Sequence, residues 1–140
     1  MGTKLTAAQR RTLEAAGVKL PVSAAKRSKY GAVPTMVDGC RFASKAEAAY
    51  YSHLRLRYTS GIIKWFIRQV PFHLTPHSKY VADFLYVDEI DRIHVIDIKG
   101  KDTETSRLKR RQVKDIYGIT VQVVKATYRG KTITGWEEIE

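Results

Sequence analysis

VIDIKG, residues 95–100, sets two charged side chains inside a β-type run. Val95, Ile96 and Ile98 are β-branched, and such side chains suit a pleated, half-buried surface. Apolar residues on both faces mark a strand buried on both sides. Asp97 and Lys99 interrupt that pattern, and a buried charge is costly unless it is paired or bound to a metal. Side chains two apart on a strand share a face, so Asp97 and Lys99 point one way and Ile98 the other. Gly100 ends the run and opens that face to solvent. Two readings stay open: an ordinary ion pair at a strand end, or a carboxylate and an ammonium that bind a hard cation and a water.

A second carboxylate lies just upstream. KYVADFLYV, residues 79–87, reads as a strand, and the short turn DEIDR joins it to the strand over 93–99. The two should pair as neighbours, so Asp83 can approach Asp97. Two like charges buried side by side are unfavourable, and a divalent cation between them removes the conflict. Mg²⁺ takes oxygen ligands, usually one or two carboxylates plus water and substrate phosphate. A third carboxylate is Glu47 in SKAEAAYYSHL. Ser44 and Glu47 have the spacing of a capping box. At 3.6 residues per turn, Glu47 also shares the apolar helix face of Ala43, Ala46, Tyr50 and Leu54. The two roles are compatible. Three carboxylates and a lysine on two strands and a helix suit metal-assisted phosphodiester hydrolysis, with the Ile98 carbonyl as a further ligand.

The remaining elements follow from periodicity and breakers. Thr6 to Ala16 reads as a short helix closed by Gly17, and residues 18–34 as a loose basic linker. TMVDGCRF, 35–42, reads as a hairpin turning at Asp38-Gly39. A helix follows over 44–58, then a strand over 62–74 in which Pro71 demands an edge, a bulge or a break. TPHS, 75–78, and GKDTET, 100–105, read as loops. A basic helix over 106–117 ends at Gly118, and a strand spans 119–126. YRGKTI turns back into a short final strand, and WEEIE reads as an acidic tail. The chain thus divides into an N-terminal helix and linker, 1–34, and a domain over 35–140. The expected class is α/β: a three-strand meander and a parallel crossover in a mixed sheet flanked by helices.

Composition bounds the function. The 140 residues are 44% hydrophobic and 10% aromatic, as in globular proteins. The net charge of +11 favours a polyanionic partner. In SRLKRRQVKDIY, Leu108, Val113 and Ile116 are expected to face the sheet. That leaves much of the basic set Arg107, Lys109, Arg110, Arg111 and Lys114 outward for phosphate contacts, with Lys101 at the mouth of the site. The single cysteine, Cys40, excludes an internal disulfide and a CxxC zinc site, which fits a cytosolic protein. No apolar run approaches the roughly 20 residues of a membrane span, and MGTKLTAAQRRTLEAAG lacks an apolar signal segment. No membrane association is expected. His73 and His77 are four apart, but Pro76 breaks the helix a zinc pair would need. Neither GxGxxG nor GxxxxGK[ST] occurs, so no nucleotide cofactor is expected.

Taken in order, AEAAYY, VADF and VIDIKG resemble the motifs of the PD-(D/E)xK nuclease superfamily, with Ala82 where the name has proline. VDGCRFASKAEAAYY, IRQVPFHL, KYVADFLYV and VIDIKGKDTETSRLKRRQ are similar to a small phage-encoded branch likened to Holliday-junction resolvases. The resemblance covers about residues 35–125. It implies a restriction-endonuclease-like core in the order helix, three strands, helix, strand. It implies Glu47, Asp83, Asp97 and Lys99 as catalytic residues. The metal would be held by Glu47, Asp83, Asp97 and Ile98, as Mg²⁺ with Mn²⁺ as a substitute. Gln69 matches a recurring glutamine of the branch and joins the expected DNA contacts. The implied activity is a metal-dependent DNA endonuclease acting on branched duplex DNA in phage recombination or replication, in the host cytoplasm. Symmetric cutting of two strands by so small a chain implies a homodimer. The alternatives are a nicking, sequence-specific or exonucleolytic DNase of the same fold, or a non-catalytic DNA-binding module.

Overall fold

The computed structural model describes residues 6–17 and 34–139. The chain forms two compact units, Met1–Gly31 and Ala32–Glu140. In the first, helix α1 (Ala7–Ala15) starts at a reciprocal cap. The Gln9 amide donates to Thr6 Oγ1 at 3.3 Å, and the Thr6 amide donates to Gln9 Oε1 at 2.8 Å. Gly17 follows the helix with φ 79°, in the left-handed region. The linker read over 18–34 lies, but for its last residue, outside the described residues.

The second unit carries the sheet. Strands β1 (Thr35–Val37) and β2 (Cys40–Phe42) pair antiparallel. Asp38 (φ 51°) and Gly39 (φ 75°) make their turn, with both central residues left-handed as a two-residue hairpin favours. Helix α2 (Lys45–Thr59) follows, capped by Ser44. Then come β3 (Ile63–Thr75), β4 (Ser78–Asp88), β5 (Ile93–Ile98), helix α3 (Glu104–Tyr117), β6 (Val121–Arg129) and β7 (Thr132–Glu138). The strands form one mixed sheet in the order β3-β4-β5-β6-β7. β3, β4 and β5 are an antiparallel meander, and α3 carries the chain across so that β6 runs parallel to β5. The architecture is therefore α/β, a mixed sheet flanked by helices, as the sequence predicted. Pro71 is tolerated within β3 because β3 is an edge strand.

Helices α2 and α3 each cover one set of sheet residues. Leu54 and Tyr50 of α2 pack with Phe42, Ile63, Phe84, Ile96 and Ile98. Val113 of α3 packs with Phe72, Ala82, Val95 and Val121. The β3–β4 ribbon contributes to both clusters in an unusual way. Phe84 and Tyr86 belong to the α2 cluster, whereas Tyr80 and Ala82 belong to the α3 cluster. Strict alternation would put all four on one face. The ribbon therefore turns over between Ala82 and Phe84, at Asp83. On β3 the same change falls at Gln69, between Arg68, paired with Phe84, and Val70, paired with Ala82. Gln69 has φ 54°, the left-handed backbone that permits it. Beyond this point the ribbon leaves β5 and leans on α3, where the Tyr117 hydroxyl donates to the His73 carbonyl at 2.8 Å.

Four readings need correction. WEEIE is not a tail: β7 continues through Glu138, because Trp136 packs edge-on against Tyr50 at 4.9 Å between ring centres. Residues 75–78 are a two-residue turn rather than a four-residue loop, since Thr75 pairs with Ser78. Helix α3 starts at Glu104, two residues early, because Thr103 Oγ1 accepts from the Ser106 amide at 3.2 Å. Its inner face also differs from the one read. Leu108 and Ile116 are 55% and 53% exposed, while Val113 and Arg110 are buried. Among the described residues no helix is long and apolar enough to cross a membrane.

Candidate active site

The expected carboxylates meet where β4 and β5 part. Pairing between these strands ends at Phe84 opposite Ile96. One step on, Asp83 and Asp97 face each other with no backbone ladder between them. The Ile98 amide, left without a strand partner on that side, donates instead to Asp83 Oδ2 at 2.7 Å. Asp97 is 2% exposed, the more enclosed of the pair. Its Oδ2 accepts from the Tyr80 hydroxyl and lies 3.3 Å from Lys99 Nζ. Strand β5 thus directs Asp97 and Lys99 to one side, and the Lys99 amide is held by the Val124 carbonyl of β6 at 2.9 Å.

Glu47 enters from the first turn of α2. Its amide donates to Ser44 Oγ at 3.1 Å, so the capping spacing is used. The carboxylate is partly buried and within electrostatic reach of Asp97, Arg68 and Lys99. Burial raises its pKa, and the Asp97 charge adds to that. A hydrogen bond from the Ala43 amide, then Arg68 and Lys99, oppose the shift. Asp83 is affected more strongly. Burial first, then the Glu47 and Asp97 carboxylates, push it up to about 8. Glu47, Asp83, Asp97 and Lys99 are therefore one electrostatic cluster. Burial beside two further carboxylates thus favours the protonated form of Asp83, because three neighbouring carboxylates cannot all ionise cheaply.

This donor set fits a hard divalent cation by its chemistry: several carboxylate oxygens gathered where their mutual charge is unfavourable. Among the described residues no three His, Cys, Asp or Glu side chains form a ready-made ligand shell. The reason lies in the hydrogen bonds above, which turn Asp83 toward the Ile98 amide and Asp97 toward Tyr80 and Lys99. Ile98 contributes its amide to the site, while its side chain is buried with the α2 cluster.

Two neighbours were not read from the sequence. Tyr80 is three positions before Asp83, a spacing that puts two strand residues on opposite faces. Only the turnover of the ribbon lets its hydroxyl reach Asp97. Arg68 lies over the Phe42 ring at 4.2 Å and donates to the Arg41 carbonyl at 3.0 Å. Its Nε is buried with no acceptor among the described residues. No spacing rule marks it, since the carboxylate its charge acts on, Glu47, sits on a separate element, helix α2.

The basic set divides in two. Lys101, Arg107, Arg111 and Lys114 are exposed. Arg110 is not outward: it is 6% exposed and makes a two-pronged ion pair with Asp102, at 2.9 and 2.6 Å. That pair ties the loop after β5 to α3. It also holds the Asp102 carboxyl below the usual carboxylate range, chiefly through the Arg110 hydrogen bond. Lys109 Nζ donates to the Lys79 carbonyl at 3.3 Å. Gln69 is exposed and stands opposite Asp83 across β3 and β4, between the pairs Arg68–Phe84 and Val70–Ala82.

No curated protein matches the chain. Residues 27–132 match the model of a family described as protein of unknown function, DUF1064, and the chain belongs to that family.

Proposed function

We propose that the protein is a Mg²⁺-dependent DNA endonuclease with a restriction-endonuclease-like core, most active on branched duplex DNA. The observation that carries the reading is the convergence of Glu47, Asp83, Asp97 and Lys99 at the point where β4 leaves β5. Four groups predicted from three separate motifs meet in one place, and their order on helix, strand and strand is that of the PD-(D/E)xK nucleases. The net charge of +11 and the exposed Lys101, Arg107, Arg111 and Lys114 supply phosphate attraction beside it.

Roles follow from position. Asp83 and Asp97, with Glu47, would hold the cation, and the Ile98 carbonyl would complete the protein ligands. A Mg²⁺ held there would supply activation of water and offset charge that develops on phosphate. Lys99, beside Asp97, would orient the attacking water and face that developing charge. Tyr80 fixes the Asp97 carboxylate so that one oxygen is already oriented. The preference for branched DNA rests on the sequence resemblance. Cutting two strands of a junction calls for two such sites, so a homodimer is part of the proposal.

The test is Mg²⁺-dependent cleavage of end-labelled DNA by the intact chain and by Asp97→Asn. The expected result is cleavage by the first and none by the second, with DNA affinity kept. Equal cleavage by both would remove Asp97 from the chemistry. DNA binding without cleavage by either would favour the non-catalytic module.

A further inference from the structure

Strand β6 outruns the strand beside it. The Lys99 amide donates to the Val124 carbonyl at 2.9 Å, and there the pairing of β5 with β6 ends. β6 continues over residues 125–129, ~17 Å of extended chain at roughly 3.3 Å per residue. β7 accompanies it, with Arg129 paired to Thr132. The β6–β7 hairpin therefore projects past the end of β5 that carries Asp97 and Lys99. Its turn is Gly130-Lys131, and Gly130 has φ 63°, the left-handed backbone that such a turn requires of its first residue.

The hairpin tip is held beside α2. Lys45 Nζ donates to the Lys131 carbonyl at 2.9 Å, and Lys45 opens the helix turn that carries Glu47. Ile96 and Ile98 of β5 pack with α2 and Val95 with α3, so the two helices lie on opposite faces of the sheet. The tip thus stands on the α2 side of the carboxylate cluster, across the sheet from the basic surface of α3. Its chemistry is one-sided. Lys125 is opposite Glu137, but residues 126–136 include no acidic side chain. Arg129 and Lys131 flank Gly130, and both are exposed, as is Lys45. Among the described residues these three cations join no ion pair. The Tyr128 ring is 53% exposed. Cations left uncompensated around one turn match the phosphates of a nucleic-acid strand, and an exposed ring is a platform for an unstacked base.

We infer that the β6–β7 hairpin tip is a second DNA contact. Arg129, Lys131 and Lys45 hold backbone phosphates on the α2 side of the site, and Tyr128 stacks on a base left unpaired at the branch. The inference rests on the proposed nuclease reading and gives its branch preference a residue, since a linear duplex offers no unpaired base. Tyr128, Arg129 and Lys131 lie beyond residues 35–125, which carry the family resemblance.

The experiment measures Kd in Ca²⁺ for a four-way junction and for linear duplex at several salt concentrations, with Tm for each protein. The variants are Arg129→Ala/Lys131→Ala, Tyr128→Ala and Tyr128→Phe. Lys64→Ala/Arg92→Ala, beside the β4–β5 turn, removes the same net charge elsewhere. The Arg129/Lys131 pair should weaken binding of both DNAs about tenfold and lower the salt slope of log K by about 2, while the control pair leaves both nearly unchanged. Tyr128→Ala should weaken junction binding about tenfold and duplex binding less than about twofold. Tyr128→Phe should match the unmodified protein, because stacking needs only the ring. Tm should hold in all three hairpin variants. An unchanged slope, an equal loss in the control pair, or a lowered Tm would overturn the phosphate contact. Equal losses for junction and duplex in Tyr128→Ala, or no loss, would overturn the stacking. If the unmodified protein binds DNA without cutting it, the nuclease reading fails, and the Kd series still decides on the hairpin. If it binds no DNA, both fail.

Discussion

Asp97 and Asp83 show how a strand end can gather buried carboxylates. Asp97 is almost fully buried, yet a tyrosine hydroxyl and an ammonium face it. Burying a carboxylate without partners would cost several kcal/mol, on the order of 3–5 when one partner of a buried pair is removed. Tyr80→Phe should therefore lower stability by about 1–3 kcal/mol, read from denaturant unfolding, because one donor to a buried acceptor is lost. Asp83 makes the opposite prediction about pH. Its folded pKa lies above its unfolded value, pushed up to about 8 from 3.8. The neutral acid is thus favoured by folding, and that stabilisation is complete below the unfolded pKa and lost as pH rises through the folded one. Without divalent cation, Tm should fall between about pH 5 and about pH 8, and the fall should shrink in Asp83→Asn. Added Mg²⁺ should raise Tm most at the alkaline end, where the carboxylates are ionised. A pH-independent Mg²⁺ effect on Tm would count against Asp83 as part of the cation site.

At the scale of elements, much was legible because hydrophobic period and breakers agreed. The β-branched run at 95–98, Asp38-Gly39 and Gly118 each name their own structure. What was not legible depended on long-range packing. Trp136 draws β7 into the sheet against Tyr50, a contact no local rule shows. Arg110 read as one basic residue among five, but its pairing with Asp102 turns it inward. Tyr80 and Arg68 join the site only because the β3–β4 ribbon turns over at Gln69 and Asp83. Helix α3 then gives two contrasting predictions. Arg110→Ala should destabilise the fold by about 3 kcal/mol, since it strands a partly buried Asp102. Arg107→Ala, Arg111→Ala and Lys114→Ala should leave Tm nearly unchanged. Each that contacts a phosphate should reduce the dependence of log K on log salt by about 1, measured by DNA titration at several salt concentrations. No change in that slope for any of the three would move the DNA path away from α3.

For the whole molecule, the sheet order explains why the site lies where it does. β5 is central, flanked by β4 and by the parallel β6, so its C-terminal end is the place where an antiparallel neighbour can leave while a parallel one holds the strand in line. The gap admits Glu47 from α2 and Tyr80 from the ribbon, and the basic surface of α3 begins just after it. The helix, the meander and the crossover serve one arrangement: carboxylates at a strand end, a lysine beside them and positive charge around. The most direct measurement is cleavage of end-labelled four-way junction, flap, linear duplex and single-stranded DNA, with Mg²⁺ or EDTA, by the intact protein and Asp97→Asn. Paired, Mg²⁺-dependent cuts near the branch point are expected, absent in EDTA and in the mutant. Cuts that persist in EDTA or in Asp97→Asn, or tight DNA binding with no cleavage of any substrate, would contradict the nuclease reading.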